Sequence, residues 1–125
     1  MNAEFIMIVT ACPNRQEADR LSRALVDQRL AACVQASTIT SRYRWRGTIE
    51  TEDEIRLLIK TKASCFEQIS KTITALLSYE NPEILVLRFI NNLNKSITSY
   101  MVGSSCMLEE SHGYWTTKST AGACR

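Results

Sequence analysis

The sequence predicts an α+β fold of the ferredoxin-like type, ordered β-α-β-β-α-β, with a four-stranded antiparallel sheet and two helices on one face. Three observations predict it. Residues 5–10 and 83–90 are short apolar runs of strand length. Residues 14–30 and 64–78 repeat apolar side chains at helical spacing. Between those two stretches, residues alternate on both sides of Gly47, the period-two pattern of a β-hairpin.

The elements follow in chain order. Phe5, Ile6, Met7, Ile8 and Val9 form a continuous apolar run, which fits a central strand buried on both faces. Pro13 and Asn14 end it. Asn14 and Glu17 have the spacing of a capping box, in which the Asn14 side chain accepts from an early helix N–H and Glu17 reaches back. Ala18, Leu21, Ala24, Leu25 and Leu30 then make one apolar stripe, giving a helix over 14–30. The chain returns as strand over about 32–45, turns at Arg46-Gly47 and runs back as strand to about Lys62. In this hairpin Arg42, Arg44 and Arg46 have one parity, and Tyr43 and Trp45 the other. Ser64 is positioned to cap a second helix. Phe66, Ile69, Ile73, Leu76 and Leu77 form its apolar stripe, and Ser78 closes it. Asn81-Pro82 breaks the chain before the last strand at 83–90. Ile97, Tyr100 and Met101 share a face of a short additional C-terminal helix. After Gly103 the sequence turns Ser-, Thr- and Gly-rich without periodicity. The expected division is therefore a folded domain over 1–103 and a loosely packed or disordered tail over 104–125, which carries His112, Tyr114 and Trp115.

The hairpin is long for its domain. Fourteen residues from 32 to 45 span roughly 45 Å, whereas a compact 125-residue domain is about 35 Å across. The strand must bend at a bulge, or its tip must project. A projecting tip that carries Tyr43 and Trp45 marks an interaction site. The sheet face away from the helices is left bare, and association in a closed ring would cover both.

Composition narrows the function classes. The chain has 45% hydrophobic and 22% charged residues and a net charge of +2, too small to argue for a nucleic-acid partner. The row Arg42, Arg44, Arg46 faces Glu50, Glu52, Asp53 and Glu54 across the turn, so cross-strand ion pairs or a solvated face are expected rather than a phosphate surface. No apolar run approaches the ~18 residues needed to cross a bilayer, and Glu4 stands where a signal peptide carries basic residues, so no membrane and a cytoplasmic location are expected. Five cysteines, Cys12, Cys33, Cys65, Cys106 and Cys124, are odd in number and scattered without a Cys-x-x-Cys pair, which fits neither a disulfide framework nor a zinc site and favours reduced thiols at most of them, with Cys33 a small core residue. The expected folded part holds no histidine, so no Ser-His-Asp or Cys-His constellation can form in it, and there is no Gly-rich phosphate loop. No enzyme is expected.

Successive motifs carry a resemblance. These are Leu30-Ala31-Ala32-Cys33-Val34, then Ser41-x-Tyr43-x-Trp45-x-Gly47-x-Ile49-Glu50, then Glu54 with Ile59-Lys60-Thr61, and last Tyr79-x-x-Pro82-Glu83-Ile84. In this order and without gaps from Pro13 to about Ile90, the chain resembles the CutA divalent-cation-tolerance family. The resemblance implies a cytoplasmic, tight homotrimer of ferredoxin-like subunits that exchange their long hairpins. It also implies a role in tolerance of copper and other divalent metals and no established enzymatic activity. That family is similar in subunit fold and trimeric form to PII signalling proteins, so a small-molecule sensor or adaptor that uses clefts between subunits is the alternative. The resemblance implies metal ligands at a cysteine late in the first strand, a histidine just before the Tyr-x-x-Pro-Glu motif, and the glutamate of that motif. Here those positions hold Thr10, Leu76 or Leu77, and Glu83. Cys12 lies two residues beyond Thr10 and shares its face if the strand extends that far. The metal candidates are thus Glu83 and Cys12, for copper or another divalent cation, with Glu83 otherwise a turn carboxylate paired with a Lys or Arg. Tyr43 and Trp45 read as interface packing first and as a ligand shelf second. Tyr79 and Glu80 either line a cleft between subunits or cap the helix end. His112 has no partner in sequence.

Overall fold

In a computed structural model, residues 5–88 are described. They form β1 (Phe5–Cys12), α1 (Arg15–Asp27), β2 (Cys33–Trp45), β3 (Thr48–Lys62), a 3-10 turn (Ala63–Cys65), α2 (Phe66–Leu76) and β4 (Leu85–Arg88). The sheet order is β2-β3-β1-β4 with every neighbouring pair antiparallel, which is the predicted ferredoxin-like α+β arrangement. The expected C-terminal helix, the tail over 104–125 with His112, and the end of the last strand at 89–90 lie outside the described residues.

One face of the sheet makes the core. Ile6 and Ile8 from β1 and Ile55, Leu57 and Ile59 from β3 pack against Ala18, Leu21 and Leu25 of α1 and Ile69 and Ile73 of α2. β1 is internal, as its apolar run predicts, but its faces differ. Ile6 and Ile8 are buried beneath the helices, whereas Phe5, Met7 and Val9 on the open face are half-buried. On that open face the edge strand β4 leaves Leu85 51% and Leu87 54% exposed.

Several ends differ from expectation for local reasons. Asn14 caps α1, its Oδ1 accepting from the Glu17 N–H at 2.9 Å. The helix stops at Asp27 rather than 30 because Arg29 turns left-handed, φ 58, and the Leu30 N–H reaches back to Leu25 O at 2.9 Å. Thr61 Oγ1 then donates to Leu30 O at 2.6 Å and ties the loop to β3. Ser64 does not cap α2. The chain enters through the 3-10 turn, Cys65 takes the cap position, and no side chain bonds the helix N-terminus. α2 ends at Leu76 because Leu77 is already extended while its side chain stays in the core.

The hairpin does project. Arg46 and Gly47 both have positive φ, 51 and 82, and Trp45 pairs with Thr48, a two-residue turn of the primed type that matches the strand twist. β3 starts at Thr48 but pairs with β1 only from Ile55 onward. Its first seven residues therefore extend past the end of β1, by roughly 23 Å. No bulge interrupts the β2–β3 register from Cys33↔Lys60 to Trp45↔Thr48.

Candidate functional site

The register decides which side chains meet on the projecting hairpin. Directly paired residues share a face. Tyr43 pairs with Glu50, Ser41 with Glu52 and Ile39 with Glu54, all on the open face of the sheet. Arg42 and Arg44 pair with Thr51 and Ile49 on the opposite face, where Asp53 also lies. Of the two expected arrangements, ion pairing of the arginine row with Glu50, Glu52 and Glu54 is therefore not the one found, and exposed Arg42 and Arg44 fit the solvated face. The pleat separates the two rows, and Arg42 Nε instead donates to Thr51 Oγ1 at 3.3 Å. The glutamates stand beside the aromatic rings.

Where the hairpin leaves the body, the segment after α2 comes up against its open face and the two flank an open cleft of about 720 Å³. Tyr43, Trp45, Glu50, Glu52 and Glu54 form the hairpin wall, and Tyr79, Glu80, Asn81 and Glu83 the other, with Ala11 of β1 at the junction. Among the described residues, five carboxylates and no basic side chain line it.

Hydrogen bonds hold the two walls together. Half-buried Glu54 accepts from Ser41 Oγ at 2.5 Å on one oxygen and from Tyr79 OH at 2.6 Å on the other. Partial burial, then the bond to Glu54 and the charges of Glu54 and Glu52, push the Tyr79 phenol well above its ordinary 10. Tyr43 is raised by the same kinds of cause: partial burial first, then Glu52 as hydrogen-bond partner and charge, then Glu50 and Glu54. Both phenols stay protonated at neutral pH, so their O–H groups donate to the carboxylates. Further in, the Glu17 carboxylate accepts from the Ser78 N–H at 2.9 Å, which ties the N-terminus of α1 to the residue before Tyr79. Bonding to Ser78, through its backbone first, holds the Glu17 carboxyl below its usual value. Only the Asn14 half of the expected capping box is matched by a backbone bond; the Glu17 carboxylate is turned to Ser78.

The sequence-predicted metal candidates fall in different places. Glu83 is exposed and lines the cleft. Cys12 is fully buried on the helix-facing side and does not line it. Burial first, then the charges of Glu17 and Glu54, pushes the Cys12 thiol up to about 11, so it is protonated at neutral pH. Thr10 shares that face as expected. It is fully buried and its Oγ1 has no hydrogen-bond partner. Leu76 and Leu77 pack at the core. Among the described residues, no group of three or more His, Cys, Asp or Glu converges to hold a metal ion. Cys33 and Cys65 are each disulfide-bonded, which corrects the expectation of reduced thiols at those positions, while Cys12 is a free thiol.

Tyr79 and Glu80 were visible in the sequence as candidates for a cleft between subunits and Glu83 as a metal-ligand candidate; the structure brings all three to a cleft within one chain. The roles of Glu50, Glu52 and Glu54 were not visible there. The signal was present: with a two-residue turn at Arg46-Gly47, counting outward pairs Tyr43 with Glu50 and sets all three glutamates on the aromatic face.

Comparisons agree with the fold. The family model described as CutA1 divalent ion tolerance protein matches residues 6–103. The divalent-cation tolerance protein CutA of Thermus thermophilus is 38% identical over 85 residues, 67% of this chain and 82% of that protein. Protein CutA of Mus musculus is 39% identical over 77 residues, 61% of this chain and 44% of that protein, so the chain spans less than half the length of this relative. The crystal structure of CutA from Xylella fastidiosa matches with a TM-score of 0.72 at 38% identity, over 78% of this chain and 93% of that chain.

Proposed function

The chain belongs to the CutA1 divalent ion tolerance family, and from that membership we propose a non-enzymatic, cytoplasmic homotrimer that responds to divalent metal ions through its acidic cleft. The single observation that supports the cleft as the responsive site is its lining, among the described residues, of five carboxylates without a basic side chain. Such a cleft concentrates cations and repels anions.

The donor set does not fit copper. Copper favours imidazole and thiolate, the described residues contain no histidine, and the Cys12 thiol is buried, protonated and not among the residues that line the cleft. Oxygen donors alone suit hard, hydrated divalent ions. Glu83 remains the metal-contacting candidate. Cys12 enters only if its thiol is uncovered and deprotonated. Calorimetric titration with Mn²⁺ and with Cu²⁺ tests the assignment. We expect weak Mn²⁺ binding, with Kd on the order of 0.1–1 mM, lowered severalfold in affinity by Glu83→Gln. Micromolar Cu²⁺ binding that survives Glu83→Gln and disappears in Cys12→Ser would overturn it.

The homotrimer is proposed from the projecting hairpin and the open sheet face. Trp45 is 56% exposed on the open face of the hairpin, Ile49 58% on its other face, and Leu87 54% on the open face of the sheet; large apolar side chains left in water on the projecting arm and the bare face mark surfaces for association. The disulfide-bonded Cys33 and Cys65 weigh against the cytoplasmic part, since disulfides are rare in reducing compartments. Acid-quenched thiol labelling in cells decides it: labelled Cys33 and Cys65 support the cytoplasm, and unlabelled ones an oxidising compartment. Among the described residues, no helix is long and apolar enough to cross a membrane.

A second function, a small-molecule sensor of the PII-like kind, is favoured by the rings of Tyr43, Trp45 and Tyr79 in the cleft. Aromatic faces contribute nothing to coordinating a bare metal ion, but they bind organic groups.

A further inference from the structure

We infer that Arg56 is a docking residue for a second copy of this chain. It receives the Glu50 carboxylate from the projecting hairpin of a neighbouring copy, so that charge seats the arm of one chain on the body of the next. This rests on the association proposed above, and it names the contact that directs it.

The open face is divided by charge. On the projecting half, β3 presents Glu50, Glu52 and Glu54 opposite Tyr43, Ser41 and Ile39, with Arg46 held over the Trp45 ring at the turn beyond them. On the body half, the same face of β3 presents Arg56, Lys60 and Lys62, and the described strands place no acidic side chain beside them. Copies stacked body on body or arm on arm bring like charges together. Arm on body brings opposite charges together, which suppresses the other arrangements.

Each half holds one charge that is uncommitted. Glu54 accepts from Ser41 and Tyr79, and Glu52 is the hydrogen-bond partner of Tyr43. Lys60 and Lys62 are engaged in contacts of their own. Glu50 and exposed Arg56 have no hydrogen-bond or ion-pair partner among the described residues. The two do not meet within one chain, because six residues of extended strand separate them by roughly 20 Å. The arm carries Glu50 roughly 17 Å past the last pairing with β1 at Ile55, away from its own body.

The surroundings of Arg56 give the pair its importance. Arg56 lies opposite Ala11 of β1, and Leu58 and Val9 follow on the same face, both half-buried. A neighbour that covers these apolar side chains also takes the guanidinium out of water. A covered arginine without a carboxylate is strongly disfavoured, whereas a carboxylate in reach satisfies it with charge-assisted hydrogen bonds. Apolar area drives the association, and this pair decides which half of the face each copy meets. The cleft keeps Glu52, Glu54, Glu80 and Glu83.

Sedimentation velocity of the full chain at micromolar concentration tests this on wild type, Arg56→Glu, Glu50→Arg and the doubly exchanged chain, with circular dichroism to confirm folding. Each single reversal is expected to weaken association about tenfold, and the double exchange to recover most of the loss. If a reversal variant does not fold, Arg56→Gln and Glu50→Gln take its place; the pairing then predicts that the double variant loses no more than either single one. An associated wild type unchanged by either reversal, or a double exchange no better than the single ones, would overturn the pairing and leave the association standing. A wild type that remains a single chain would overturn both.

Discussion

At the scale of single residues, Thr10 and Glu17 show how much a side chain's role depends on distant chain. Thr10 stands where the family resemblance implies a cysteine, and its hydroxyl is buried with no partner. An unpaired buried hydroxyl is destabilising, so Thr10→Val, which keeps the shape and removes the oxygen, is expected to stabilise the fold by about 1 kcal/mol in urea unfolding. A loss of stability would mean that the hydroxyl has found a partner. Glu17 accepts the Ser78 N–H, and its carboxyl is held below the ordinary 4.5. A depressed folded-state value means that the stabilisation is present above the unfolded value and is lost as pH falls through the folded one. Wild type should therefore exceed Glu17→Gln in stability near neutral pH, and the gap should close as pH drops below about 4.5. A gap independent of pH would remove this role. The cap at Asn14 was legible from the sequence because it is local. The Glu17 contact spans 61 positions, and no pattern near Glu17 announces it.

At the scale of elements, period and turn chemistry were readable, and exact ends were not. The stripes at Leu21 and Leu25 and at Ile69 and Ile73 gave both helices, because burial against a sheet needs an apolar face. The helix ends shifted where backbone geometry overruled the stripe: the left-handed Arg29 stops α1, and the 3-10 turn displaces the cap from Ser64. The hairpin turn is the clearest sequence signal and the most testable. Gly47 has φ +82 and open space where a Cβ would stand, so any cost of substitution is a backbone cost. Gly47→Ala should destabilise by about 1 kcal/mol in thermal unfolding, and Gly47→Asn by less, because asparagine tolerates the left-handed region. Equal behaviour of the two variants would argue against the primed turn. The same turn fixes the register that gathers Tyr43, Glu50, Glu52 and Glu54, so a change of loop length by one residue would flip the glutamates to the arginine face.

At the scale of the whole molecule, the antiparallel sheet with helices on one face and the open opposite face followed from the sequence, because the helix stripes need one sheet face to bury them and nothing among the described residues covers the other. The cleft did not follow in full. It needs the hairpin register and the segment at Tyr79–Glu83 together, and the sequence offers each only separately. The disulfides at Cys33 and Cys65 were hidden for a similar reason, since spacing along the chain does not report which thiols meet in space. The proposed trimer links these features: a hairpin that extends roughly 23 Å past β1 and an uncovered sheet face call for neighbours to cover them. Sedimentation equilibrium at micromolar concentration, run on wild type and Trp45→Ala, tests this most directly. The expected result is a wild-type particle of three 14.1-kDa chains, with Trp45→Ala shifted toward single chains at the same concentration. A wild type that sediments as a single chain would contradict it.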